Sequence, residues 1–141
     1  MRLSDNLTLQ EVIKSDTAIK NGISNEPTPE HLESLKIVAN EVFQKVREYF
    51  NVPIYVSSGY RSKELNDILP NASSTSQHCK GEALDLDADV FGKISNNDIF
   101  SFIAQNMDFD QLIWEFGDDK NPDWVHVSYT NKRPNRKIIM K

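Results

Sequence analysis

Apolar side chains recur along the chain at two spacings, and each spacing predicts a type of element. Between Thr28 and Asn51, apolar residues return every three or four positions, which is typical of a helix with one buried face. They are Leu32, Leu35, Ala39, Val42, Phe43, Val46 and Phe50. Thr28 is a favourable N-cap and Pro29 suits the first helical position. We therefore predict one long helix that begins after Thr28 and ends near Phe50, before Pro53.

Shorter helices and loops are predicted around this long helix. The helices lie at Thr8–Ser15, at Ser62–Leu69 and from Ser95 onwards. Asp98 falls in the first turn of the last of these, where a carboxylate is favoured by the helix dipole. Residues 21–29 and residues 70–77 are small and polar, and we expect both to be loops.

Strands are predicted mainly in the second half of the chain. They lie at Ile54–Ser58, Glu82–Asp87, Gln111–Phe116 and Trp124–Tyr129, with Ile138–Met140 as a further candidate. Helices come first and strands cluster late. This order favours an α+β domain over a regular βαβ alternation.

Composition and charge exclude several classes of function. The 141 residues suit one domain, and the formal net charge of −5 argues against a general nucleic-acid binder and a polybasic membrane-surface protein. Apolar runs are all shorter than a membrane span. The basic run Lys132–Lys137 is the one argument for nucleic-acid binding, and a solvated tail or a contact with an anionic cell wall is the favoured interpretation. We expect a monomer that binds neither nucleic acid nor membrane.

The first residues and the single cysteine also restrict the possibilities. The segment Met1–Asp5 lacks a basic stretch followed by an apolar one, so we expect no signal peptide. The protein would then be made in the cytoplasm. Cys79 stands alone, which excludes an intrachain disulfide and a cysteine-rich zinc site.

Two of the three histidines, His78 and His126, lie in surroundings that suggest chemistry. In an extended strand, Trp124, His126 and Ser128 share the face opposite the valines of the same segment. Asp85 lies on the polar face of a predicted strand that follows the loop bearing His78. If the two strands pair, two imidazoles and one carboxylate meet, which is a catalytic zinc set with one position left for water.

Each of these residues also has an ordinary structural interpretation. A histidine at a strand end is more often structural than a ligand, and an aspartate on a strand face is usually solvated. His31, in the first turn of the long helix, is expected at the surface. Asp123 and Glu115 are alternative candidates for the general base that such a zinc site requires. Spacing alone thus gives only a weak zinc hypothesis.

A resemblance to a known family adds to this hypothesis. The matching segments are Ser76-x-His78-x-x-Gly81-x-Ala83-x-Asp85, Trp124-x-His126, Ser58–Ser62 and Asp110–Phe116. In this order they resemble the zinc D-alanyl-D-alanine carboxypeptidase family, which includes cell-wall peptidases, dipeptidases and phage endolysins. The resemblance runs from about Leu3 to Tyr129. It implies the fold of the hedgehog signalling domain, with a small antiparallel sheet and helices packed on one side.

The resemblance also implies roles for individual residues. His78, Asp85 and His126 match the zinc ligands. Arg61 matches an arginine that binds substrate or stabilises the developing oxyanion, a task that suits a permanently charged guanidinium. Substrate contact is expected from Ser76, Tyr60 and Trp124. Asp123 occupies the position where relatives often place a catalytic acid, and Glu115 remains its competitor.

Together these expectations define a function. Residues 1–130 would form a zinc peptidase domain and residues 131–141 a basic C-terminal tail. The substrate would be peptide in bacterial peptidoglycan, cut by a carboxypeptidase or an endopeptidase reaction. A phage or prophage origin is expected, with holin-type release or virion delivery to the wall. The alternative is a catalytically inactive cell-wall-binding or structural domain that retains the fold.

Overall fold

The computed structural model describes residues 1–70 and 72–141, so one position of the predicted loop 70–77, Asn71, lies outside the described residues. The α-helices are α1 (Leu9–Ile13), α2 (Asp16–Lys20), α3 (Pro29–Val38), α4 (Gln44–Phe50), α5 (Lys63–Ile68) and α6 (Asn96–Asn106). The strands are β1 (Arg2–Ser4), β2 (Leu7–Thr8), β3 (Tyr55–Ser58), β4 (Ala83–Asp87), β5 (Gln111–Glu115), β6 (Trp124–Ser128) and β7 (Ile138–Met140). A π-helical turn (Ala39–Phe43) joins α3 to α4, and 3-10 turns lie at Gln77–Lys80 and Ala88–Val90. The predicted α+β class is confirmed.

The predicted helices are confirmed, and their caps explain their limits. The hydroxyl of Thr28 accepts a hydrogen bond from the backbone of His31, and α3, the π-helical turn and α4 continue to Phe50. Asn51 then turns the chain into the left-handed region, with φ 53°. Helix α2 was not predicted, because its five residues carry too little apolar periodicity to be recognised.

A five-stranded sheet forms the centre of the fold, in the order β3-β4-β6-β5-β7. The pairs β3/β4, β4/β6 and β5/β6 are antiparallel, as expected, whereas β7 runs parallel to β5. The predicted strand Ile138–Met140 therefore exists, but as a parallel edge strand. A separate hairpin of β1 and β2 was not predicted.

The two faces of this sheet have different surroundings. Alternate residues of its central strands are fully buried in the apolar core, where they join residues of α3, the π-helical turn, α4 and α6. They are Leu84, Leu86, Leu112, Val125 and Val127. Because strand side chains alternate, Asp85 and His126 point to the opposite face. The helices thus cover one side of the sheet and leave the other available for a site.

The C-terminal segment is folded against the sheet. Arg133 and Arg136 both form ion pairs with the buried carboxylate of Asp110, at 2.7 and 2.8 Å. The two arginines remain exposed, as expected for the basic residues after Asn131, but one aspartate fixes both of them. In residues 1–70 and 72–141, none of the helices is both long and apolar enough to cross a membrane.

Candidate metal centre and its cleft

Three side chains converge on the open face of the sheet. One potential ligand atom from each of His78, Asp85 and His126 lies within 4.8 Å of the other two. Oδ1 of Asp85 is 3.2 Å from Nε2 of His78 and 3.1 Å from Nδ1 of His126. All three residues are buried. The structure thus brings together the three residues that the sequence predicted as a set.

Strand register explains two members of this cluster. Asp85 of β4 lies directly opposite His126 of β6 in an antiparallel pair, as the strand alternation predicted. The third member, His78, comes from the 3-10 turn Gln77–Lys80 that leads into β4. Nδ1 of His78 lies 2.6 Å from the carbonyl oxygen of Gly59. Because a carbonyl only accepts, Nδ1 carries a proton, which leaves Nε2, the nitrogen that faces Asp85, as the ring atom available to a metal ion.

Two glycines permit the close approaches that hold His78 in place. A Cβ at Gly59 would lie 2.6 Å from the carbonyl oxygen of Val12, so no other residue fits where its carbonyl meets His78. Gly81 ends the 3-10 turn with φ 72°, in the left-handed region that favours glycine. Its Cβ would also meet the backbone of His31, at 2.5 Å.

The electrostatics of the cluster keep Asp85 ionised. Burial raises the pKa of Asp85, but the neighbouring His78 and His126 more than offset this and hold that pKa well below its ordinary value. On the other side of the carboxylate, Nη2 of Arg61 lies 3.9 Å from Oδ2. Asp85 thus directs one oxygen to the two imidazoles and the other towards a guanidinium.

The donor set fits a small divalent metal ion. A tetrahedral zinc ion with bonds of about 2.0–2.1 Å separates its ligand atoms by about 3.3 Å. The separations of 3.1 and 3.2 Å within the cluster are close to this value. Two imidazole nitrogens and one carboxylate oxygen are also a donor set that zinc accepts in enzymes.

A cleft of about 600 Å³ lies over the cluster. Besides the three clustered side chains, it is lined by polar, charged and a few apolar residues. They include Arg61, Ser76, Lys80, Ile113, Glu115, Trp124, Arg133 and Arg136. Of the expected substrate contacts, Ser76 and Trp124 line this cleft. Tyr60 instead is buried, and its hydroxyl is hydrogen-bonded to Nδ1 of His31 at 2.9 Å.

The two candidates for the general base have different positions. Glu115 lies in the cleft wall, two residues along β5 from Ile113, which is directly opposite His126. Burial, followed by the charge of Asp85, raises the pKa of Glu115 above its ordinary value. Asp123 is exposed and is absent from the described lining of the cleft. Its backbone, rather than its carboxylate, is engaged, as a donor to Glu115 and an acceptor from Asn96.

Some residues of the cleft were not predicted. Arg133 and Arg136 form part of its wall because Asp110 binds them. His31, expected at the surface, is half-buried against Tyr60. The basic composition after Asn131 was the one available signal for the two arginines, and it does not distinguish a fixed side chain from a solvated one.

Comparison with known protein families gives one match over most of the chain. A family model described as peptidase M15 matches residues 5–128, which include every residue of the cluster as well as Arg61 and Glu115. The match ends before Arg133 and Arg136. Among curated proteins, none matches the chain.

Proposed function

Because the chain belongs to the peptidase M15 family, we propose that it is a zinc-dependent peptidase that hydrolyses peptide bonds in bacterial peptidoglycan. The observation that carries this proposal is the convergence of His78, Asp85 and His126 beneath a cleft. Catalytic zinc sites commonly have three protein ligands and one position for water or substrate. The volume of the cleft, about 600 Å³, leaves room for a short peptide.

We assign the zinc ion to Nε2 of His78, Nδ1 of His126 and a carboxylate oxygen of Asp85. When bound, zinc supplies Lewis-acid activation of water and of the scissile carbonyl. The chain's contribution is to hold three donors in the correct protonation state. The Gly59 carbonyl fixes the proton of His78 on Nδ1, and such outer partners typically orient a metal-binding imidazole.

Glu115 is the residue that we assign as general base. It would accept a proton from the attacking water and deliver it to the leaving amine. Its place in the cleft wall, one diagonal step from His126, supports this role. Its raised pKa suits a group that must both accept and return a proton near neutral pH. Asp123 lacks this placement, so we favour Glu115 over the alternative from sequence.

Arg61 is assigned to the substrate carbonyl. Its side chain is only 19% exposed and its guanidinium lies beside the cluster, so it is held in place and partly desolvated. A positive charge there would stabilise the negative charge that develops on the carbonyl oxygen. Ser76, on the same cleft, accepts a hydrogen bond from the backbone of His78 and can donate its hydroxyl proton to a peptide carbonyl. A phage or prophage origin with holin-type release or virion delivery stays a prediction.

Digestion of purified peptidoglycan tests the proposal. We expect the wild-type protein to release peptides that mass spectrometry assigns to one type of bond, and we expect a chelator to stop the release. His126→Ala should lose both zinc and hydrolysis, whereas the matched control His31→Gln, outside the cleft, should keep both. Zinc-loaded protein that binds the wall without cutting it would instead favour the inactive binding domain.

A further inference from the structure

The C-terminal segment contributes to the wall of the cleft. Strand β7 pairs in parallel with β5, so the chain before it must cross the beginning of β5. The backbone N–H groups of Lys137 and Ile138 donate to the carbonyls of Phe109 and Asp110, which fixes this crossing. Arg133 and Arg136 lie in the crossing segment and line the same cleft as the metal cluster.

Asp110 arranges these two arginines, which we call the arginine pair. Arg133 binds both oxygens of Asp110 through Nη1 and Nη2, at 2.7 and 3.0 Å. Arg136 binds both oxygens through Nε and Nη2, at 3.0 and 2.8 Å. The carboxylate of Asp110 is fully buried, so it acts as a fixed anchor. Both guanidiniums are therefore oriented before any ligand arrives.

The arginine pair retains the capacity to bind an anion. Two guanidiniums and one carboxylate leave one net positive charge. The arginine side chains remain 44% and 47% exposed, so a ligand can reach them. Each guanidinium has five N–H donors, and Arg136 directs only Nε and Nη2 to Asp110. Lys80, on the same cleft, adds a further positive charge.

The distance from the metal cluster indicates which anion would be recognised. Ile113 lies opposite His126, and Asp110 lies three residues before Ile113 on the same chain. At the rise of a strand, the Cα atoms of Asp110 and Ile113 are about 10 Å apart. An extended peptide covers that length with two or three residues. The terminal carboxylate of a carboxypeptidase substrate lies only one residue, about 4 Å, from the scissile bond.

We propose that the arginine pair is a carboxylate-binding subsite, which selects peptides with a carboxylate two or three residues from the scissile bond. This inference rests on the proposed peptidase function and refines it, because it names a substrate group that positions the peptide relative to the scissile bond. Bidentate pairing with guanidinium gives a carboxylate both affinity and orientation. Arg133 and Arg136 lie after the last residue of the matched family region, whereas their anchor Asp110 lies within it.

Amidated peptides test the subsite. The probe is a synthetic stem pentapeptide of L-alanine, γ-linked D-glutamate, L-lysine and two D-alanines, with two versions in which one of the two free carboxylates is an amide. Binding is measured by calorimetry on zinc-loaded Glu115→Gln protein, and the cut bond is identified by product mass on the parent protein. Arg136→Gln removes the charge, Arg136→Lys retains it, and Lys132→Gln is a matched control whose partner is Glu30.

We expect one of the two amidations to weaken binding about 10-fold, as for loss of a charged hydrogen bond. In Arg136→Gln, amidation should weaken binding by only about 2-fold or less. Arg136→Lys should keep part of the 10-fold effect of amidation, and Lys132→Gln should keep all of it. The carboxylate concerned should lie two or three residues from the cut bond. Melting curves and zinc content establish that each variant is folded.

The outcomes separate this inference from the proposed function. If the peptide is hydrolysed but amidation weakens binding equally with and without Arg136→Gln, the peptidase function stands and the subsite is overturned. Recognition that is confined to the carboxylate next to the cut bond also overturns it. Carboxylate-dependent binding without any hydrolysis supports the subsite and contradicts the peptidase. Peptides that neither bind nor are cut contradict both.

Discussion

The molecule contains two buried aspartates that are each held between two nitrogen-bearing side chains, yet the two arrangements support different chemistry. Asp85 lies between His78 and His126, and Asp110 lies between Arg133 and Arg136. In both places the neighbours hold the pKa of the aspartate well below its ordinary value. The carboxylates are therefore equivalent in charge, and the partners make the difference.

Protonation explains why the partners differ in function. A neutral imidazole has a lone pair, so the histidines around Asp85 can bind a metal ion. A guanidinium stays protonated and has no lone pair to offer, so the arginines around Asp110 can only donate hydrogen bonds. The first arrangement can hold a cation and the second can hold an anion. Both lie on one cleft, which suits a substrate with a scissile bond at one place and a carboxylate at another.

The largest expected effect comes from removing a ligand of the first arrangement. Asp85→Asn should lower hydrolysis at least about 1,000-fold, because zinc activation is worth several kcal/mol in the transition state. Zinc content, measured by mass spectrometry of the metal, should fall with it. Asp110→Asn is the matched change in the second arrangement and should keep its zinc. Equal zinc loss in both variants would remove the distinction between the two aspartates.

The first arrangement could be predicted from sequence largely because it depends on strand alternation. Asp85 and His126 each stand on the polar side of an alternating segment, so antiparallel pairing alone brings them together. The second arrangement depends on a parallel pairing of β7 with β5, and nothing in residues 131–141 indicates its direction. The hydrogen bond from His78 to Gly59 likewise joins residues 19 apart, which only the folded chain reveals.

The choice of general base was open in the sequence for a physical reason. Asp123 and Glu115 flank a loop, and the register across that loop decides which of them reaches the cleft. The pairing of Glu115 with Trp124 places the glutamate on the face of His126. Sequence alone contains no signal for that register, whereas the family position favoured Asp123.

A smaller effect is expected at the proposed general base. Glu115→Gln should lower kcat about 100-fold, because the amide cannot accept the proton, while zinc content stays unchanged. Asp123→Asn should retain activity within about 10-fold of the parent. The measurement is steady-state hydrolysis of a defined stem peptide. A larger loss of kcat in Asp123→Asn than in Glu115→Gln would assign the general base to Asp123.

The arrangement around Asp110 should affect the stability of the fold more than it affects catalysis. Asp110→Asn should lower the free energy of unfolding by about 2–3 kcal/mol, since two arginines lose a buried ionic partner but remain open to solvent. Urea unfolding followed by circular dichroism measures this change. Asp108→Asn, an exposed carboxylate two residues away, is the control and should cost under about 1 kcal/mol. Similar losses in both variants would mean that Asp110 is not an anchor.

The smallest expected effect is a change with pH in the stability difference between the parent and Asp110→Asn. The folded protein lowers the pKa of Asp110, so its contribution is fully present above the unfolded value of about 3.9 and is lost as pH falls below it. The stability gap between the parent and Asp110→Asn should therefore be constant from about pH 7 to 5 and shrink towards pH 2. Asp85 is present in both proteins, so its contribution to the pH dependence cancels in the difference between them. A gap that widens on acidification would contradict the ion pairs.

We propose that the histidine–aspartate cluster makes this chain a zinc-dependent peptidase. The most direct test is hydrolysis of the stem pentapeptide by one preparation, before chelation, after chelation, and after addition of one equivalent of zinc. We predict that cleavage stops on chelation and returns with zinc, and that His126→Ala shows neither cleavage nor recovery. Cleavage that continues unchanged in the metal-free protein, or in His126→Ala, would contradict the claim.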